Sequence, residues 1–124
     1  MDFKEKGAIY LQIADYVAER VLLGQWPPGE RIPSVRDLGA KLEVNPNTVV
    51  RTYEFLQQKE VIFNKRGVGY FVADDAADRI TAYRREQFLA GELPHLFRNM
   101  YLLNISLDEL ESRYRDFVKE TYPV

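Results

Sequence analysis

The stretch SVRDLGAKLEVNPNTVVRTYEFL, residues 34–56, decides the fold. Ser34, directly after Pro33, is placed to cap a helix, with Asp37 three residues on in a capping-box-like arrangement. Leu38 and Leu42 fall on the inner side of that short helix. Asn45-Pro46 then opens another, because asparagine is a strong N-cap and the missing N–H of proline costs nothing at the first helical position. Only Glu43, Val44 and Asn45 lie between the two, so the stretch reads as a helix-turn-helix. At about 100° per residue, Val49, Tyr53 and Leu56 share a narrow arc, while Asn47, Arg51, Glu54 and Gln58 lie opposite. One face packs; the other is free to read something.

Upstream, Ile9, Ile13, Tyr16, Val17 and Val21 recur at helical spacing, which predicts a helix over roughly residues 9–23, stopped by Gly24 and Pro27-Pro28-Gly29. Downstream, the β-prone triplets Val61-Ile62-Phe63 and Tyr70-Phe71-Val72 flank the basic, Gly-containing connection Asn64–Gly69. This predicts a hairpin with Lys65 and Arg66 at its tip. Three helices and such a hairpin make a winged helix-turn-helix. The character changes at Asp74-Asp75, which divides the chain into a domain over 1–73 and a helical segment over 74–124. In that segment Ala76, Ala77, Ile80, Tyr83 and Phe88 share one helix side, and Leu93, Leu96, Phe97 and Met100 share another after a break at Gly91/Pro94. Ser106 and Glu109 form a capping box ahead of the stripe Leu107, Leu110, Tyr114, Phe117 and Val118. The fold class is therefore mainly α with a small β-hairpin.

Composition limits the functions open to this chain. Its 124 residues hold one ordinary domain, or a small domain with an appendage. The absence of cysteine excludes disulfide frameworks, Cys-based zinc sites and a thiol nucleophile, and fits a reducing cytoplasm. A single histidine, His95, leaves little for metal ligation or acid/base work, and no nucleotide-binding glycine motif or catalytic triad is present. No enzyme activity, metal or cofactor is expected. Met1–Gly7 carries two acids and two lysines, and Gln12 and Asp15 interrupt the apolar residues that follow, so no signal peptide is expected. No apolar run approaches the ~18 residues that span a membrane.

The net charge of −2 argues against a nucleic-acid partner until its distribution is considered. Residues 31–66 hold seven Lys/Arg against four Asp/Glu, and this middle block alone is basic.

Four blocks carry a resemblance. They are Ile9–Ile13, Gly24–Leu38 (GQWPPGERIPSVRDL), Val44–Val49 (VNPNTV) and Gly67–Val72 (GVGYFV). In this order they resemble the DNA-binding half of GntR family bacterial transcription regulators, over roughly half the chain. The Asn-Pro-Asn-Thr-Val run with Arg51 and Tyr53 is similar to both the YtrA-like and MocR-like subfamilies. The tail is too short for the aminotransferase-type domain of the latter. The YtrA-like resemblance implies a short helical dimerisation tail and regulation of neighbouring transport genes.

A major groove about 12 Å wide admits one helix, whose N-terminal side chains reach base edges; here these are Asn45, Asn47, Thr48 and Arg51. Asn45 reads first as a plain cap, with a phosphate contact open beside it. Many family members place an arginine directly after the Thr-Val pair, where this chain has Val50 and puts Arg51 one position later. Arg36 matches the family's recurrent DNA-contacting arginine, and Arg31 lies just before that helix. Ser34 is foremost a cap. Lys65 and Arg66 are placed to approach the DNA backbone or minor groove, with Gly67 and Gly69 allowing close passage.

The expected protein is thus a dimeric, sequence-specific regulator of double-stranded DNA, a repressor acting on a near-palindromic operator in the cytoplasm. A small-molecule effector in the tail is left open. The alternative is a winged-helix protein-interaction module without specific DNA binding.

Overall fold

The structure, a computed structural model, describes residues 8–124 and falls into two units that divide at Arg84/Arg85. The charged stretch Met1–Gly7, on which the signal-peptide reading rests, lies outside the described residues. Helix α1 (Ile9–Leu22) buries Ile13, Ala14, Tyr16, Val17, Ala18 and Val21. Helices α2 (Val35–Leu42) and α3 (Pro46–Gln58) form the helix-turn-helix, and strands β1 (Ile62–Lys65) and β2 (Gly69–Val72) pair antiparallel with Phe63 opposite Phe71. Helix α4 (Ala76–Gln87) follows.

The turn between α2 and α3 is tight. A Cβ on Gly39 would meet the Val44 carbonyl oxygen at 3.0 Å and the Pro46 Cα at 3.4 Å, so a side chain there would press on the backbone of the turn. Helix α2 stops at Glu43, which takes the left-handed conformation at φ 57°, and the Val44 N–H donates back to the Gly39 carbonyl at 2.9 Å. Helix α3 ends the same way: Glu60 sits at φ 61° and Val61 N–H donates to Leu56 at 2.9 Å.

One core joins these elements. Val49, Thr52, Tyr53 and Leu56 of α3 are buried against Ile13, Val17, Leu38, Val61, Ile62 and Val72. Thr52 is the one buried polar residue among those described, and its hydroxyl lies 2.8 Å from the Tyr10 carbonyl and 3.1 Å from the Thr48 carbonyl. The Tyr53 hydroxyl donates to the Pro33 carbonyl at 2.6 Å, and its ring meets Tyr70 edge-on at 4.8 Å. Both bonds satisfy polar groups whose burial would otherwise cost about 1–3 kcal/mol each.

Two sequence expectations change here. The stripe Ala76, Ile80 and Tyr83, read with the tail, belongs to the core of the first unit, so that unit runs past the expected boundary at residue 73 as far as Arg84. Ala77 and Phe88, read on the same stripe, are exposed. The hairpin also has a third strand partner. The Ile32 N–H donates to Tyr70 and the Val72 N–H to Glu30, which makes Arg31 a bridge partner of Phe71.

In the second unit a π-helical turn (Phe88–Glu92) leads into α5 (Leu93–Leu103). The backbone stays helical where a break was expected. Pro94 has no N–H for the carbonyl four residues back, and the widened turn absorbs that missing bond. Asn104, at φ 55°, ends α5, and Ser106 caps α6 (Leu107–Thr121) by accepting from the Glu109 N–H at 3.1 Å. The expected box is only half made, since the Glu109 carboxylate turns to Arg113 at 2.9 Å. None of the residues of α6 is buried.

Burial raises the Tyr53 and Tyr83 phenols above their ordinary value of 10.0, Tyr83 to about 12. The folded state thus holds these protons more tightly than the unfolded chain, so their contribution is complete below pH 10 and fades as pH rises towards 12. Alkaline titration followed by circular dichroism should show this loss. The two tyrosines also differ in neutral solution. Tyr53→Phe removes a made bond and should cost about 1–2 kcal/mol in urea unfolding. The Tyr83 hydroxyl is buried with no partner among the described residues, so Tyr83→Phe should be neutral or stabilising by up to about 1 kcal/mol. Equal losses in both variants would contradict this assignment.

Candidate nucleic-acid interface

The exposed side of α3 is what remains once Val49, Thr52, Tyr53 and Leu56 turn inward. Asn47, Arg51, Glu54 and Gln58 are exposed and Thr48 is half-buried. At the start of the helix the Asn45 Oδ1 accepts from the Asn47 N–H at 2.8 Å, and at the start of α2 the Ser34 Oγ accepts from the Asp37 N–H at 3.1 Å. Both residues are therefore caps, which fix where each helix begins and hence which side chains stand at its N-terminus. Asn47, Thr48 and Arg51 come together with Ala8, Ile9 and Tyr10 around an open groove of about 440 Å³.

Arg36 is exposed early in α2. Arg31 bridges to Phe71 on the wing, and its side chain lies across Gly69. A Cβ at Gly69 would come within 2.8 Å of the Arg31 Nε, and the φ of 142° is one that side chains rarely adopt. The space over Gly69 is thus taken by Arg31; at Gly67, in the turn of the wing, a Cβ would meet nothing within 4 Å. Lys65 Nζ stands 4.5 Å from the Phe71 ring centroid, and Arg66 is exposed at the tip.

Ion pairing among the described residues engages some of the other cations and none of these. Arg79 pairs with Glu60 and Asp75, Arg84 with Asp15, Arg113 with Glu109 and Arg115 with Glu111. Among the described residues, Arg31, Arg36, Arg51, Lys65 and Arg66 have no carboxylate partner. Their contacts, where present, are with rings: Lys65 with Phe71, and the Arg51 guanidinium over the Tyr10 ring at 3.9 Å. Tyr10 lies in the Ile9–Ile13 block but outside the apolar spacing of α1, and nothing in the local sequence joins it to Arg51. Among the described residues no group of His, Cys, Asp and Glu could hold a metal ion, and no helix is long and apolar enough to cross a membrane.

A helix-turn-helix followed by a basic wing defines a winged-helix DNA-binding domain. The bacterial regulatory proteins of the gntR family match the chain over residues 9–72. The HTH-type transcriptional regulator YhcF of Bacillus subtilis is 30% identical over 117 residues, which cover 94% of this chain and 95% of that protein. The HTH-type transcriptional repressor YtrA of the same organism is 28% identical over 97% of this chain and 88% of its own. A crystal structure of a GntR family regulator from Bacteroides thetaiotaomicron is 50% identical, with a TM-score of 0.80 over 91% of this chain and 98% of its own. The chain belongs to the GntR family of transcriptional regulators and fits its YtrA-like subfamily.

The wing geometry gives a direct test. Gly69→Ala places a Cβ against Arg31 on a backbone that disfavours it, and should lower stability by about 1–2 kcal/mol. Thermal unfolding of the variant measures this, and a parental melting temperature would show that Arg31 and the strand yield freely.

Proposed function

We propose that the protein is a dimeric repressor that reads a near-palindromic operator with α3 and grips the flanking backbone with its wing. The observation that carries this reading is that Arg36 on α2, Arg51 on α3, and Arg31, Lys65 and Arg66 at the wing are all exposed and without a carboxylate partner among the described residues, in a helix-turn-helix with a basic wing. Asn47, Thr48 and Arg51 face base edges; Arg31, Arg36, Lys65 and Arg66 face phosphates, with Gly67 and Gly69 shaping the wing. Ser34 and Asn45 act mainly by setting the helix starts. The repressor role draws on the likeness to YtrA of Bacillus subtilis.

Dimerisation is assigned to the second unit. Leu107, Leu110, Tyr114 and Phe117 repeat at alternating spacings of three and four residues along one side of α6, and Leu107, Tyr114 and Phe117 are 71%, 67% and 56% exposed. A stripe of this kind is unstable in water without a partner. A second copy gives two-fold symmetry, and with it two recognition helices on inverted half-sites about 34 Å apart.

Genomic fragments selected on the full-length protein and then sequenced supply the operator. On it, Arg51→Ala should lose about 1–3 kcal/mol of specific binding through a lost base-edge contact. Lys65→Ala should weaken binding to all sequences alike and reduce the salt slope by about one. Leu110→Glu with Phe117→Glu should convert a dimer to a monomer in light scattering and weaken operator binding. A monomeric parent at micromolar concentration defeats the dimer reading, and parental affinity in Arg51→Ala defeats the proposed reading face.

A further inference from the structure

We propose that Tyr10, in the first turn of α1, is a positioning residue for DNA reading: its ring holds the Arg51 guanidinium in place with the N–H edge free. The inference rests on the reading of α3 as the DNA-facing helix. Tyr10 is itself held by α3 at two points. Its backbone carbonyl lies 2.8 Å from the Thr52 hydroxyl, and its ring meets Phe55 edge-on at 6.1 Å and 74°. The platform under Arg51 is therefore fixed to the same helix that carries Arg51.

The kind of partner matters. A carboxylate would bind the guanidinium through its N–H donors, the same donors that pair with O6 and N7 of a guanine. A ring binds it through the π face and uses none of them. At 3.9 Å from the ring centroid, Arg51 is close enough for this attraction, and among the described residues it has no carboxylate partner. Arginine on a bare helix loses rotamer freedom when it meets a base; one already resting on a ring has lost part of it beforehand. The groove shared by Ala8, Ile9, Tyr10, Asn47, Thr48 and Arg51 shows the same arrangement from outside, since the start of α1 forms one wall of the surface that α3 presents.

The test uses full-length protein on its selected operator and on unrelated duplex DNA, with Tyr10→Leu, Tyr10→Phe, Arg51→Ala and the double variant Tyr10→Leu/Arg51→Ala, each checked for thermal unfolding. Tyr10→Leu should weaken operator binding about two- to fivefold, leave binding to unrelated DNA unchanged and relax base preference at one position per half-site. Tyr10→Phe keeps the ring and should match the parent. In the Arg51→Ala background, Tyr10→Leu should add nothing. If Arg51→Ala binds like the parent, the reading of α3 fails and the role of Tyr10 with it. If Arg51→Ala weakens binding but Tyr10→Leu does not, or if its loss persists undiminished in the double variant, the role of Tyr10 alone is overturned. Equal loss on both DNAs would mark a general structural defect and also overturn it.

Discussion

Inside the first unit the Tyr53 hydroxyl donates to the Pro33 carbonyl at 2.6 Å, and the orientation of α3 about its own axis follows from that bond. A buried phenol must find an acceptor, and this one lies in the loop that leads into α2. Its neighbour Thr52 makes the corresponding bond to α1 through the Tyr10 carbonyl. Turning α3 by one residue would break the bonds from Tyr53 to Pro33 and from Thr52 to Tyr10, leaving Thr52 only the Thr48 carbonyl of its own helix, and would bring Arg51 or Glu54 towards the core. The polar groups on the inner side of the helix thus determine which of its side chains stand outside.

Helix starts were legible because their signals are local. Ser34, Asn45 with Pro46, and Ser106 each cap within three residues of themselves, and all are seen as caps. The stops at Glu43 and Glu60 were harder to read. Neither is a glycine, and each left-handed residue is stabilised by an apolar neighbour, Val44 or Val61, that packs against the core. The third strand partner of the wing and the place of Ala76, Ile80 and Tyr83 in the core depend on contacts made across long stretches of chain, which periodicity does not reveal. The same holds for the site: the exposed side of α3 was readable from spacing, whereas the contact of Arg51 with Tyr10 joins residues 41 positions apart in sequence.

Total charge proved a poor guide to partner class, and the reason is visible in how the charges are used. Acidic residues outnumber basic ones, yet several are engaged with arginines: Asp15 with Arg84, Asp75 and Glu60 with Arg79, Glu109 with Arg113 and Glu111 with Arg115. Such exposed pairs contribute little to stability, typically about 0–1 kcal/mol each. Their larger effect is on the field around the molecule, because they cancel locally and leave the positive potential of the middle block less opposed.

The left-handed residue that ends α3 has a further consequence. A glycine at position 60 would stop the helix with less strain, but it would carry no side chain. Glu60 stops the helix and also extends a carboxylate to Arg79 of α4 at 2.9 Å, where Asp75 meets the same guanidinium. The end of α3 and the first turns of α4 therefore share one arginine. A change in how α4 is held would be felt first at the C-terminal end of α3, away from Asn47, Thr48 and Arg51 in its first turns, so the chain has a mechanical link to the second helix of its helix-turn-helix that leaves those side chains untouched.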